Sequence, residues 1–343
     1  MLAEFALTPS IFDKSAHKDR EAWLQQLREL AHGMFPRGAA CPVMVSNLHG
    51  GTWQAAALNA VMSIDAQDHE ARVLCKGILE KVLERTLVYR PAYSVAEPSN
   101  DTAWAKEAVN SISFEPIDRI VTCKTAYEVV SRRCGSVRCI DKVQDDHFWN
   151  GISSQWSQPL NVADQVKTVR KLCVHSEFLC LVTPYIRGED DDETTFAQEM
   201  IRSAFRRPKE LSPPFVEIHT TVDRKIASVP DQFKSVVHHV SCRLRSALVG
   251  DQQVRLVIWP KSKLLDRYLI AGIHTKTSDE KRVRKPCWGI SMPHIARKAH
   301  DDEPMPPTPW SLLSAKQIYD VSQHFCKEGL TGYLHDSTVP DTP

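Results

Sequence analysis

The sequence predicts an α/β protein with a mixed, largely parallel sheet flanked by helices and divided into two lobes. Three observations predict it. From residue 178 onward, apolar runs of strand length alternate with amphipathic helical stretches, the order of βαβ units joined by right-handed crossovers. A less regular alternation of the same kind fills the first 160 residues. The chain has 343 residues, 42% hydrophobic and 25% charged, which is enough apolar side chain for two domains and excludes global disorder.

Taken in order, residues 1–10 read as an extended segment ending at Thr8, Pro9 and Ser10. Trp23, Leu24, Leu27 and Leu30 recur at helical spacing over residues 21–31. Residues 42–46 form a short buried strand, and residues 47–51 a turn before a helix capped by Thr52. A second helix covers residues 71–83, and residues 91–102, with two prolines, form a surface loop. Residues 117–123 and 136–141 are strands flanking a short helix. A boundary falls in the acidic and aromatic stretch 144–160.

The second half is more regular. Residues 178–186, 215–220, 253–259 and 267–273 are strands, with helices over 195–205 and 232–248 between the first three. A proline-rich linker at 304–309, a helix over 314–326 and a frayed end complete the chain. The domain plan is therefore an N-terminal α/β lobe over 1–160, a second α/β lobe over 161–300, and a linker with a helix over 301–343.

Several function classes are excluded or disfavoured. The formal net charge is +1, so any electrostatic function comes from local patches rather than a bulk-basic surface. The N-terminal residues lack a basic region followed by a long apolar one, and no run reaches the ~18 apolar residues of a membrane helix. A soluble, cytoplasmic protein with no membrane partner is expected. Of the ten cysteines, Cys41, Cys75, Cys123, Cys139, Cys173, Cys180 and Cys242 sit in or beside apolar stretches and read as reduced core residues. The nearest approach to a metal motif, Cys134 with Cys139, has no matching second pair, so no metal and no cofactor are expected.

The segment richest in chemistry lies between Lys261 and His300. It carries ten lysines and arginines against three acids, a local balance of +7. Such clusters bind phosphates through charge-assisted hydrogen bonds and counterion release. A solvated hairpin loop has the same composition. Within the cluster, Lys261-Ser-Lys-Leu-Leu-Asp-Arg-Tyr-Leu-Ile270 reads as a basic strand at a sheet edge, and Trp288-Gly-Ile-Ser-Met292 follows some twenty residues later. Together they resemble the final hairpin of phospholipase D-like domains in bacterial proteins. The resemblance covers residues 170–295, including the strand ending in the Pro184–Tyr185 turn and the strand ending at His219 and Thr220.

The resemblance implies a phosphodiesterase or nuclease scaffold, with bacterial defence as its setting. It implies Asp266, Arg267 and His294 as catalytic candidates, and Lys261, Lys263 and Ser291 as phosphate contacts. The family's nucleophilic histidine is matched here by Leu265, which can neither attack phosphorus nor accept a proton. An imidazole would have to come from His219, His274 or His294, or from His49 or His147 in the first half. The missing histidine favours a degenerate, non-catalytic module that binds nucleic acid or a protein partner; the alternative is an active phosphodiesterase. A third reading is a structural subunit anchored by Trp149, Trp156 and Trp310.

Two other segments carry weaker signals. The acidic run 189–193 offers oxygen ligands for Mg²⁺ or Ca²⁺, but it lacks spacers and a glycine turn, and reads as a solvated loop or helix N-terminal charge. The turn at 46–52 could present N–H groups to an anion, although it lacks a phosphate-loop ending. Asp118, Asp141 and Lys124 invite a nuclease comparison without the acid-x-Lys spacing.

Overall fold

The computed structural model describes residues 2–37, 39–186, 192–207, 211–276, 282–295, 306–327 and 330–339. The chain divides into two compact units, Met1–Ser153 and Ser154–Pro343. The architecture is α/β, as the alternation of apolar runs predicts.

In the first unit, β1 (Ala3–Leu7), β2 (Val43–Asn47), β3 (Leu87–Tyr89), β4 (Arg119–Thr122) and β5 (Val137–Cys139) form a sheet ordered β3-β2-β1-β4-β5. Every neighbouring pair is parallel. The helices are α1 (Arg20–Met34), α2 (Trp53–Met62), α3 (His69–Arg85), α4 (Asp101–Ser111) and α5 (Lys124–Val130). All five residues of β1 are buried, as a strand covered on both faces requires. The α1 helix starts on an Asp19 cap that accepts from the N–H groups of Glu21 and Ala22, and it turns Trp23, Leu24, Leu27, Leu30 and Met34 into the core. The pattern of the sequence does not announce α4. Asn100 caps it, so the loop before it ends two residues earlier than expected, and Trp104, Ala105 and Ala108 are buried.

Glu4 breaks the apolar rule of β1, and its partner explains why. Arg90, just beyond β3, is as fully buried and grips Glu4 with two parallel bonds, Nε to Oε1 at 2.6 Å and Nη2 to Oε2 at 2.7 Å. Its other donors reach the carbonyls of Ser111 at 2.6 Å and Glu115 at 2.7 Å. Ser46 Oγ on β2 donates to Glu4 Oε1 at 2.7 Å. The pair thus ties β1, β2, the exit of β3 and the end of α4 together, with its polar atoms satisfied.

In the second unit, β6 (Gln155–Gln158), β7 (Phe178–Val182), β8 (Phe215–Val222), β9 (Val254–Pro260), β10 (Tyr268–Lys276), β11 (Arg282–Ser291), β12 (Thr308–Leu312) and β13 (His335–Val339) form one sheet. Its order is β13-β9-β8-β7-β10-β11-β12-β6. β7, β8 and β9 are parallel, and every other pairing is antiparallel. The helices are α6 (Val162–His175), α7 (Asp192–Phe205), α8 (Arg224–Ala227), α9 (Pro230–Arg245) and α10 (Ala315–Phe325). No helix among the described residues is long and apolar enough to cross a membrane.

The β10–β11 ladder is bulged between Ala271 and Gly272. A Cβ at Gly272 would overlap the Lys285 carbonyl oxygen and the Phe178 ring, so only glycine allows this approach. Beyond the bulge the hairpin brings Arg284 over the Phe215 ring, 4.0 Å from its centroid, and within 2.8 Å of Glu217 Oε2 on β8.

Several expectations need correction. Residues 261–268 are not a strand: Lys261–Lys263 is a 3-10 turn, and the strand begins only at Tyr268. Nor is this a sheet edge, because β10 lies between β7 and β11, which satisfy its backbone on both sides. Within the expected linker and helix of 301–343, β12, α10 and β13 belong to the second sheet and its helices. The expected frayed end contains β13, which pairs with β9 from His335↔Ile258 to Val339↔Val254. The boundary between units likewise precedes residue 160, because Gln155–Gln158 pairs with β12.

Arg90→Met leaves Glu4 charged and unpaired in the core. It is expected to cost about 3–5 kcal/mol of unfolding free energy, measured by urea denaturation of the full chain. An unchanged urea midpoint would remove the pair from its structural role.

Candidate functional site

Three parallel strands release the chain at the same end of the second sheet. β7 runs into Thr183, Pro184 and Tyr185; β8 into Asp223, Arg224 and Lys225; β9 into Lys261, Ser262 and Lys263. Val222 is paired with Pro260, so the last two turns leave the sheet side by side. The carboxyl ends of parallel strands are where α/β folds place ligands. Arg224, Lys225, Lys261 and Lys263 are all exposed there. None has an ion-pair partner among the described residues. The acid on these turns, Asp223, accepts from the Lys225 backbone N–H.

Arg267 lies in the same unit but is used differently. It is buried, donating through Nη2 to Glu193 Oε1 at 3.0 Å and through Nη1 to the Pro293 carbonyl at 2.8 Å. The Tyr185 ring lies against its guanidinium, 4.5 Å from centroid to Cζ. Glu193 takes a second bond from Thr183 Oγ1 at 2.5 Å. Glu193 is thus no solvated loop charge; with Asp192 it stands in the first turn of α7. Residues 189–191 of the acidic run lie outside the described residues.

Asp266 is exposed and accepts from the Tyr268 hydroxyl at 3.1 Å. Burial, and then the Asp266 carboxylate, push the Tyr268 phenol up to about 12. Ser291 is half-buried opposite Tyr268 in the ladder. His294 is exposed; its carbonyl, not its ring, is engaged, accepting from Trp310 Nε1 at 3.1 Å. Asp266, Arg267, Ser291 and His294 therefore gather at one end of the β10–β11 ladder. Lys261 and Lys263 stand on the turn after β9, and Lys263, three residues before Asp266, lies within about 11 Å of it.

Leu265 is 73% exposed and points no reactive atom anywhere. His219 is fully buried on β8, where its Nδ1 accepts from Trp259 Nε1 at 2.9 Å and burial lowers its pKa. His274 sits at the far end of β10, beside Glu177. Of the described cations in the basic cluster, Arg267 and Arg284 serve internal acids. Residues 281, 297 and 298, and the side chains of Lys276 and Arg282, lie outside the described residues.

Cys180, Glu217 and His219 bring one potential ligand atom each to within 4.8 Å of one another, all buried. Both Glu217 oxygens are already held by guanidinium groups, Oε1 by Arg255 at 2.5 Å and Oε2 by Arg284 at 2.8 Å. Burial pushes the Cys180 thiol up, so it stays protonated. This is a charge-balanced core network, completed by a two-pronged Arg255–Asp336 pair at 2.9 and 2.6 Å.

The first unit has a feature the sequence did not flag. Its strand order reverses between β1 and β4, and there Thr8 Oγ1 donates to Thr122 Oγ1 at 3.1 Å. Thr122 Oγ1 in turn donates to Asp101 Oδ2 at 2.5 Å, and the Cys123 thiol donates to the same oxygen at 2.9 Å. Burial and the Asp101 carboxylate raise the Cys123 pKa, which keeps it a donor. The visible signal was Thr8 and Thr122 ending two apolar runs; Asp101, a helix start, gave none. Asp118 precedes β4 and Lys124 follows it, so the strand holds them roughly 15–20 Å apart. Asp141 accepts from Gln26 Nε2 at 3.1 Å. His49 Nδ1 lies 3.4 Å from both Glu107 Oε1 and the Ser94 hydroxyl, and His147 Nδ1 lies 3.1 Å from Asn150 Nδ2.

The tryptophans proposed as interface anchors face inward. Trp310 is fully buried, Trp156 lies against it with centroids 6.4 Å apart, and Trp149 stacks on Phe5 at 5.8 Å. In comparison with known proteins, no family model matches the chain, and no curated protein matches its sequence significantly.

Arg267→Ala is expected to act on stability, by about 3–5 kcal/mol, because it strands Glu193 in the core. Glu193→Gln should recover part of that loss in a double-mutant cycle by chemical denaturation, whereas additive losses would show the two are not coupled. A pH dependence follows from Asp336, whose carboxyl the Arg255 guanidinium holds below the usual range. A depressed folded pKa stabilises above the ordinary value near 4 and is lost as pH falls through the folded value. Asp336→Asn should therefore be less stable at neutral pH and flatter on the acid limb of a thermal-melt series. An acid limb identical to the parent's would contradict this.

Proposed function

We propose that the second unit is a non-catalytic, phospholipase D-like module that holds nucleic-acid phosphates on Arg224, Lys225, Lys261 and Lys263. The observation that carries the reading is the meeting of these four exposed cations on two adjoining turns. Lysines and arginines so placed neutralise successive phosphates without reading bases, and their affinity falls as salt rises. The exposed Leu265, and an Arg267 already committed to Glu193, support binding without hydrolysis. A phosphohistidine route needs an imidazole nucleophile: Leu265 stands where the family carries it, and the exposed His294, next to the Pro293 carbonyl that Arg267 holds, is the imidazole at this end of the ladder.

The test measures fluorescence anisotropy with labelled single- and double-stranded DNA and RNA over a salt series, with a metal-free cleavage assay on the same substrates. Binding without cleavage is expected. Lys261→Ala/Lys263→Ala and Arg224→Ala/Lys225→Ala should each weaken binding and reduce the salt slope by about one unit for every phosphate left unneutralised. Cleavage that survives chelation would instead favour the active phosphodiesterase. Absence of both binding and cleavage would leave a protein partner as the occupant of this face.

A further inference from the structure

The turn after β9 carries aromatic rings beside its cations. Trp259, the penultimate residue of β9, is buried. The His324 ring, near the end of α10, stacks on it with centroids 6.0 Å apart and planes 20° apart. Tyr333 meets Trp259 edge-on at 6.3 Å, and Phe325 closes the group from the core side at 5.8 Å. Trp259 and Phe325 belong to the core, whereas His324 and Tyr333 are exposed.

Strand register sets these rings at the end of the sheet where the lysines stand. His335 on β13 is opposite Ile258 on β9, and the Leu334 N–H donates to the Ile258 carbonyl at 2.7 Å. The antiparallel course then carries Tyr333 alongside the end of β9, where Lys261 opens the turn. Lys261 follows Trp259 by two residues, so their Cα atoms lie within about 7 Å of each other. Exposed rings beside exposed lysines are the pattern that holds a single nucleic-acid strand, because every base offers a π-face and every nucleotide a phosphate. In a duplex the base faces are taken up by the neighbouring pairs, and only phosphates remain for the lysines.

We propose that His324 and Tyr333, braced by Trp259, form a stacking platform for unpaired bases, so that the nucleic acid held on the second unit is single-stranded. The inference rests on the phosphate-binding reading of the turns after β8 and β9 and adds the form of the polymer. A base extends the Trp259–His324 stack on the outer face of the imidazole, a second packs on Tyr333, and the backbone that joins them passes Lys261 and Lys263. Stacking asks for no particular donor or acceptor on a base edge. The platform therefore separates single strand from duplex and not one base from another.

The full chain is titrated by fluorescence anisotropy with a single-stranded oligonucleotide and a duplex of the same length, and a single strand carrying 5-iodouracil is photocrosslinked to it. The parent should bind the single strand more tightly. Tyr333→Leu and His324→Leu should each weaken single-strand binding about 5- to 100-fold and leave duplex binding and the salt slope unchanged. Tyr333→Phe should bind as the parent does, because the ring stacks and the hydroxyl does not. Peptide mass spectrometry should find the crosslink on His324 or Tyr333; this is read on the parent chain and does not depend on a variant folding. Equal affinity for single strand and duplex, crosslinks confined to other peptides, or leucine variants that bind single strands like the parent would overturn the platform. If Lys261→Ala/Lys263→Ala still weakens binding, the phosphate reading survives that result. Lysine variants that bind like the parent, or no binding of either form, would overturn the phosphate reading and the platform with it.

Discussion

Parallel strand pairing is the constraint that brings the candidate residues of each unit together. Two parallel neighbours must release the chain at the same end, and a crossover must carry it back over a face. In the first unit this rule, applied along β3-β2-β1-β4-β5, brings Thr8, Thr122 and Asp101 together at the point where the order reverses. In the second it sets the turns after β8 and β9 beside each other, with Val222 opposite Pro260. Residues 224 and 261 are distant in sequence and adjacent in space for that reason alone.

Within these frames, buried and half-buried arginines do the joining. Arg90 reaches Glu4, Arg267 reaches Glu193, and Arg255 and Arg284 share Glu217. The planar fork of arginine can satisfy a carboxylate and spare carbonyls at once, which a lysine cannot do. The Glu4 and Glu193 pairs cost desolvation and are kept tolerable by further hydrogen bonds from Ser46 and Thr183. The consequence for function is subtraction. Arg267 and Arg284 look available in the sequence and are not.

The surface is left with a smaller and more specific set of groups. The cations on the turns after β8 and β9 stay in solvent, where they keep their long-range field. His324 and Tyr333 stay in solvent beside them, where contact with Trp259 fixes their rings. Both sets owe their exposure to the same arrangement: the strand ends and helices around them bury only the apolar residues needed to close the core, such as Val240, Leu244, Val257 and Ile258.

The sequence by itself determined the class of fold and the elements with strong periodicity. Trp23 to Leu30 announced α1, the apolar run from Phe178 announced β7, and Phe233 to Leu244 announced α9, because burial on one face or two leaves a period of 3.6 or a continuous apolar run. Elements held by pairing rather than by pattern escaped. β13 and β6 are short, polar strands at the two rims of the sheet, stabilised by backbone bonds that no side chain reports. The candidate site divided in the same way. Lys261 and Lys263 were legible as exposed basic residues, but their neighbours Arg224 and Lys225 were not, since strand register and not spacing brings them close. Only the tertiary structure decided that Arg267 is a buried brace and Cys242 an exposed thiol, because residue type states what a side chain can do while packing decides which atoms it meets.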